Sequence, residues 1–332
     1  MRVSTAAAMT EKEAIVNELH RPARKNFPRR RVVLKGIDDL WQADLLEIQQ
    51  FANINKGHRY ILVVIDCFSK YVWCVPIKNK TAAVVTEAMK SILDDKKKKK
   101  KKDVRRPRNL QTDQGTEFYN AKFQALMKAH RINHYSVYSV KKASIVERVI
   151  RTLKEKLWRH FSNSGKYVWL DALPSVVAAY NDTVHRTIKM TPNEASLARN
   201  EKRLLSTAYN RVKTVDRRRQ KFKVGDCVRI SKEKGQFDKG HLHNWSTELF
   251  TVTEVRLTNP RTYKLKDAAG NPILGGFYEY ELQKTLHRDV YLVEKVLKTK
   301  GDRVYVKWLG LPKSQNSWIA KRDVLSGAPI KK

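Results

Sequence analysis

Cysteine is nearly absent. Cys67, Cys74 and Cys227 are scattered through 332 residues with no paired spacing. They exclude a disulfide-stapled framework and a cysteine-built zinc cluster, and they point to a reducing compartment. Acidic residues are scarce as well: 33 Asp and Glu face 68 Lys and Arg, a formal charge of +35. A balance this one-sided points to a polyanionic partner, nucleic acid first. Long apolar runs are missing too. The start, MRVSTAAAMTEKEAIV, has no apolar core long enough for a signal peptide, and no stretch approaches a membrane span. The expectation is a soluble intracellular protein with no membrane partner, nuclear in a eukaryotic host.

Hydrophobic residues make up 41% of the chain, enough for real cores, and the length suits two or three domains. Seven of the charges come from one lysine run, 96–102, and the remaining +28 (35 − 7) lie elsewhere. The run reads as an exposed low-complexity loop, with a DNA clamp as the sharper alternative. A helical stretch at 11–19 precedes the basic segment RPARKNFPRRR, which is either an arm along nucleic acid or a solvated tail. LWQADLLEI, RYILVVID and KYVWCVPI then read as three strands, the last two joined by a hairpin turn at 66–69. Thr81 and Asn120 stand as helix caps, NLQT and INHYSVY as strands, and 167–183 as a helix. Thr191, Pro192 and Glu194 open another helix with a capping box. Strands followed by alternating helices and strands make a mixed α/β domain. Residues 202–223 carry nine Lys or Arg against one acid, a basic linker, and all-β texture follows to about 284. A last unit has three short strands and a closing helix.

Within KKASIVERVIRTLKEK, apolar residues recur at Val146, Val149, Ile150, Leu153, Leu157 and Phe161, one buried stripe of a long helix. Glu147 lies beside that stripe and shares a face with Arg151, Lys154 and Trp158. Two readings compete. Ser144 and Glu147 can form a capping box, or Glu147 is a metal-binding carboxylate. Asp44 interrupts an otherwise apolar strand, where an unpaired charge is costly, and Asp113 ends a strand beside Gly115. Three such carboxylates converging would repel one another and raise each other's pKa. A hard divalent cation resolves this, and Mg²⁺ suits carboxylates plus phosphate. Two ions about 3.5–4 Å apart can activate a hydroxyl and stabilise the leaving oxygen of an in-line displacement. Asp66 precedes a tight turn and reads as local backbone bonding. Glu47 and Glu117 read as surface or supporting groups. A predicted helix end separates His130 from His134, which argues against a metal pair.

WQADLLEI, RYILVVIDCFSKYVWCVPI, LQTDQGTEF and KKASIVERVIRTLKEKLWR together resemble the catalytic core of retroviral-type integrases, in particular those of Maverick/Polinton transposons. The resemblance continues through AAYNDTVHRTIKMTPNEA and a barrel-like segment into a chromodomain-like tail. It implies an α/β chain with an RNase H-like catalytic core, then a small SH3-like barrel, then a chromodomain-like unit. The implied segments are a basic arm at 1–35, the core at 36–200, a linker at 201–222, the barrel at 223–285 and the tail at 288–328. The implied activity is 3′-end processing and strand transfer, with Asp44, Asp113 and Glu147 holding Mg²⁺ or Mn²⁺. A non-catalytic DNA- and chromatin-binding derivative is the alternative. The chain departs from the pattern in places. Glu147 follows Asp113 by 34 positions, slightly less than the spacer that names the retroviral class, and no upstream His/Cys zinc module is present.

Double-stranded DNA and further copies of the chain are the expected partners. Lys141, Lys142, Arg148, Arg151, Lys154, Arg217, Arg218 and Arg219 are the expected DNA contacts. In the tail, Tyr291 and Trp308 fall on two positions of a methyl-lysine cage, which implies a histone tail or chromatin protein as partner. The third position is Leu311, which has no π face, and Trp318 matches a core position.

Overall fold

The computed structural model describes residues 10–24, 26–94, 105–136, 144–210, 219–232, 241–288, 290–311 and 313–324. The lysine run and the expected contacts Lys141, Lys142, Arg217 and Arg218 lie outside them. The chain forms two compact units, one of residues 32–212 and one of 1–31 with 213–332.

The first unit is a mixed sheet with helices on both faces. Strands β1 (Leu40–Glu47), β2 (Tyr60–Asp66), β3 (Val72–Ile77), β4 (Asn109–Thr112) and β5 (Asn133–Ser136) lie in the order β3-β2-β1-β4-β5. The first three pair antiparallel and the last two join in parallel. Every residue of β2 is buried, because alternate side chains serve two cores. Tyr60, Leu62 and Val64 pack with α2 (Ala82–Leu93) and α3 (Ala121–Ala129). Ile61, Val63 and Ile65 meet the apolar stripe of α4 (Ser144–Ser164) and α5 (Leu173–Asn181). Helix α5 is shorter than the expected 167–183. Thr191 and Glu194 form the capping box of α6 (Pro192–Ala195), and Asn120 caps α3 through Phe123 N–H. Thr81 stands at the N-cap of α2 without bonding the helix; its hydroxyl donates to Asn79 Oδ1 instead. Helix α7 (Glu201–Thr207) packs Leu204 beside Leu40, Phe68 and Ile188, so the basic stretch begins with an ordered helix.

The second unit holds a five-stranded antiparallel sheet, β10-β6-β7-β8-β9, and a three-stranded one, β11-β12-β13. The larger is built from β6 (Cys227–Ile230), β7 (Phe250–Arg256), β8 (Thr262–Lys266), β9 (Pro272–Tyr278) and β10 (Leu282–Lys284). The smaller is built from β11 (Val293–Lys300), β12 (Arg303–Trp308) and β13 (Ser317–Ala320). A short 3₁₀ turn at Lys321–Asp323 stands where a closing helix was expected, among the described residues. Helix α1 (Glu11–His20) is no loose tail: Ile15 and Leu19 are buried against Trp245. The basic segment after it is anchored as well. Phe27 packs on Tyr278 and Tyr280, Arg24 lies over the Tyr280 ring, and Arg30 N–H donates to the Tyr278 hydroxyl. Among the described residues, no helix is long and apolar enough to cross a membrane.

Candidate active site

Alternation along β1 sends Trp41 and Ala43 to the α2/α3 core, and Gln42, Asp44 and Leu46 to the face covered by α4. Gln42 and Gln111 are opposite each other in the parallel β1–β4 register. Both are buried, and Gln42 Nε2 donates to Gln111 Oε1 at 3.0 Å. Gln42 Oε1 accepts the backbone N–H groups of Ile145 and Val146, each at 3.1 Å. Two amide donors aimed at one atom require it to be the oxygen, which fixes the orientation of the Gln42 amide. One side-chain amide pair thus ties together β1, β4 and the first turn of α4. These three elements carry Asp44, Asp113 and Glu147: Asp44 two residues after Gln42, Asp113 two after Gln111, and Glu147 next to Val146.

The capping reading of Glu147 finds no support among the described hydrogen bonds. Ser144 is the first residue inside α4, and the described bonds of that turn come from Gln42. Glu147 is exposed, with no described bond to Ser144.

A second chain of bonds holds the Asp113 turn. Gln124 Nε2 lies 2.8 Å from His134 Nδ1, and His134 Nε2 lies 2.9 Å from Thr112 Oγ1. The Thr112 hydroxyl donates to the Asp113 carbonyl at 2.7 Å. Since that hydroxyl spends its proton on the carbonyl, it accepts from His134 Nε2–H, and Nδ1 is the acceptor for Gln124. His134 is therefore structural. His130 sits at the end of α3 beside Asp94, as the intervening helix end implied.

The electrostatics of the face single out Asp44. Burial pushes its carboxyl up to about 6, opposed by a hydrogen bond from Leu45 N–H, and the charges of Asp113, Glu147 and Glu117 add to the rise. Three further carboxylates within electrostatic reach of Asp44, in a chain of charge +35, form a local reversal of sign. Among the described residues, no three His, Cys, Asp or Glu side chains are close enough to hold one metal ion together. The donors are nevertheless of the right kind for a divalent cation: hard oxygens, mutually repelling, one of them held partly protonated.

Asp66 behaves as a turn residue. It is fully buried, accepting from Phe68 N–H, Ser69 N–H and the Ser69 hydroxyl, and it pairs with Arg105 at 2.5 Å. Of the expected DNA contacts, Arg151 and Arg219 are exposed and Lys154 is half-buried. Arg148 lies on a different flank of α4, lining a cleft with Lys70 and Arg186.

In the tail, the Tyr291 and Trp308 rings meet edge to face, 5.9 Å apart. They line a cleft of about 290 Å³ with Leu311, Glu248 and Asp267. Gly310 lies against Thr247 at a positive φ of 74°, where a Cβ would come within 2.2 Å of the Thr247 hydroxyl. Trp318 corrects the expectation of a core residue. It is 38% exposed and pairs with Tyr305 across β12 and β13, while Val296, Val304 and Val306 fill the core.

Residues 37–139 match the family described as integrase core domain. A transposon-derived protein of Caenorhabditis elegans is 32% identical over 203 residues, covering 61% of this chain and 65% of that protein. The Pol polyprotein of Radiation murine leukemia virus (strain Kaplan) is 30% identical over 136 residues, 40% of this chain and 22% of the polyprotein. The chain thus spans less than two thirds of either relative. A chain of the simian T-cell lymphotropic virus intasome, solved in complex with PP2A regulatory subunit B56 gamma, superposes with a TM-score of 0.54 at 18% identity. That superposition covers 85% of this chain and 93% of the other. Residues 37–139 of this chain are thus similar to an integrase core domain. The mixed α/β unit has the RNase H-like fold, and Asp44, Gln42, Gln111 and Asp113 all fall within the matched segment. Gln42 and Gln111 escaped sequence reasoning, and the signal was weak: a polar residue two places before each aspartate, on the same strand face.

Proposed function

We propose that the protein is a DNA integrase of the Maverick/Polinton type, acting in the nucleus, that joins the 3′ ends of a mobile element to target DNA. The observation that carries this reading is that the charges of Asp113 and Glu147 both act on the Asp44 carboxyl, which burial and those charges push up to about 6. In strand transfer, the 3′-hydroxyl oxygen attacks a target phosphorus. A new P–O bond forms, the target's own P–O3′ bond breaks, and a free 3′-hydroxyl leaves. Asp44, Asp113 and Glu147 would hold Mg²⁺ or Mn²⁺, which supplies activation of the attacking hydroxyl and stabilisation of the leaving oxygen. The Gln42–Gln111 pair fixes the spacing of the elements that carry the carboxylates. The exposed cations of α4, with Arg219 and the basic 202–223 segment, would engage phosphates.

The test is a strand-transfer assay on blunt duplexes from the element's own termini, with Mg²⁺ or Mn²⁺. Joined products that vanish with Glu147→Gln support the reading; a wild type that folds, binds these duplexes and joins none refutes it. A non-catalytic DNA- and chromatin-binding derivative is the second reading, favoured by the aromatic cleft at Tyr291 and Trp308. A divalent-ion titration separates the two, because only carboxylates that still assemble take up the ion. The SH3-like character of the five-stranded sheet, the chromodomain-like character of the tail, a histone-tail partner and assembly of several copies on DNA belong to the same proposal.

A further inference from the structure

Successive residues of an α-helix are rotated by about 100°, so Arg148 faces away from Glu147. On its side of α4 a cleft of about 410 Å³ opens toward the 66–70 turn and the 183–187 segment. Its charged lining has one sign: Lys70, Arg148, Lys156 and Arg186, with no carboxylate among them. Among the described residues no ion pair joins any of these four to an acid. The nearest buried acid, Asp66, is taken by Arg105.

Lys70 is the unusual member. It is 7% exposed and adopts a left-handed backbone at φ 63°. Its ammonium donates to the Cys67 carbonyl at 2.5 Å. Burying an ammonium and holding a non-glycine residue in that conformation both cost free energy, and such costs concentrate where a side chain is used. His185 stands among the cations. Burial first, then the charges of Lys70, Arg148 and Arg186, bring its imidazole down to about 4. Its Nδ1 accepts from Thr187 N–H at 3.1 Å, so the neutral ring carries its proton on Nε2, as a donor. The floor is apolar, made by Ile145, Val149 and Tyr180. The volume lies within the range of about 300–1,000 Å³ usual for small-molecule sites.

We propose that this cleft is a nucleotide site: Lys70, Arg148 and Arg186 hold a phosphate of a DNA strand, and the base lies on the Tyr180 floor. Cations gathered without counter-charge supply the anion's side of the fit, and the apolar floor distinguishes a nucleotide from a bare ion. Only the source of the nucleotide, a DNA strand, rests on the function proposed above.

The experiment titrates full-length protein with dAMP, inorganic phosphate, deoxyadenosine and a short single-stranded oligonucleotide, reading the His185 imidazole by NMR (assigned with His185→Gln). Expected are shifts with dAMP and with the oligonucleotide, affinity for dAMP at least tenfold above that for phosphate, and no response to deoxyadenosine. Arg186→Ala, at an exposed position, should weaken dAMP binding at least tenfold, as should Lys70→Gln where it folds. Arg199→Ala, elsewhere on the same unit, should leave it unchanged. Equal affinity for phosphate and dAMP would overturn the nucleotide assignment. A silent His185, or dAMP binding indifferent to Arg186→Ala, would overturn the site. The readout needs neither metal nor strand transfer, so failure of the integrase reading and failure of the cleft are separate results.

Discussion

Asp66 closes β2 fully buried, with three local hydrogen bonds and a guanidinium on its oxygens, whereas Asp44, one strand away on β1, accepts one described hydrogen bond and faces other acids. Both are acids on otherwise apolar strands of the same sheet. The first is compensated by the protein itself, through the turn it initiates and through Arg105, which also holds Asp38. The second is left short of partners in the one place where Asp113, Glu147 and Glu117 act on the same carboxyl. A carboxylate that serves the fold collects its own donors; one left short of them, among like charges, is the one a divalent cation would relieve.

The sharpest way to break this comparison is to remove one ligand charge. Glu147→Gln is nearly isosteric, and Glu147 is exposed with no described bond to a cap. Strand transfer should fall to background, while the thermal transition and duplex affinity stay near wild type. Activity close to wild type would return Glu147 to the surface.

The two aspartates should also differ in sign when each is neutralised. Asp66→Asn weakens the bonds to half-buried Arg105, which keeps Asp38, and to the turn donors, and should cost about 1.5–3 kcal/mol. Asp44→Asn should stabilise the metal-free protein. Its folded pKa of about 6 lies above the ordinary 3.8, so the fold prefers the neutral acid. The stability this group contributes is full below the ordinary value and is lost as pH rises through 6. At pH 8 the substitution should recover at most about 3 kcal/mol, two pKa units' worth. Urea unfolding of both variants at pH 4.5 and 8 checks this. An Asp44→Asn protein that is destabilised at both pH values would make Asp44 a second Asp66.

Smaller still is the effect of the amide pair. Gln42→Leu leaves two backbone N–H groups of α4 without their acceptor, at about 1–3 kcal/mol for the unmet donors. If Gln42 positions the triad, strand transfer falls further than in a core variant of matched stability, such as Ile61→Val combined with Val63→Ala. The pH profile should also move, as Asp44 loses its fixed distance from Glu147. An unshifted profile with stability-matched activity would reduce Gln42 to packing.

How far the sequence carried this reading follows from the same residues. The carboxylates were legible because each breaks a local rule: Asp44 an apolar strand, Glu147 a cationic helix face. The α/β core was legible from period alone, since β2 and α4 bury continuous stripes. Gln42 and Gln111 were not, because a buried amide pair breaks no pattern until strand register places the two side by side. Lys70 was hidden for a related reason: a lysine in a hairpin turn reads as solvated, and the ring its ammonium lies over, Tyr209, is far along the chain. Trp318 was misplaced because spacing aligned it with a core position, while β12–β13 pairing turns it outward beside Tyr305. Helix α1 read as the start of a free arm because its apolar face is short, and its partner Trp245 is more than two hundred residues away.

The smallest effect is expected in the tail, and it tests whether aromatic faces there are used at all. Tyr291 and Trp308 stand edge to face, and Leu311 completes the cleft with a side chain that has no π face. Glu248 and Asp267 line the other side, and burial, then Asp267, push the Glu248 carboxyl up. A cation entering this cleft meets two rings and two acids. Trimethyl-lysine meets the rings and the charge of the acids but has no N–H to give a carboxylate, and with only two ring faces the wild type should hold it weakly. Leu311→Tyr adds a third face, worth about 0.5–2 kcal/mol, or about two- to thirtyfold in affinity. Fluorescence anisotropy with trimethylated and unmethylated histone-tail peptides measures this. Tight methyl-dependent binding by the wild type would mean that two rings suffice. No gain from Leu311→Tyr would mean that the cleft takes its cation through Glu248 and Asp267, or takes none, and that Tyr291 and Trp308 only pack.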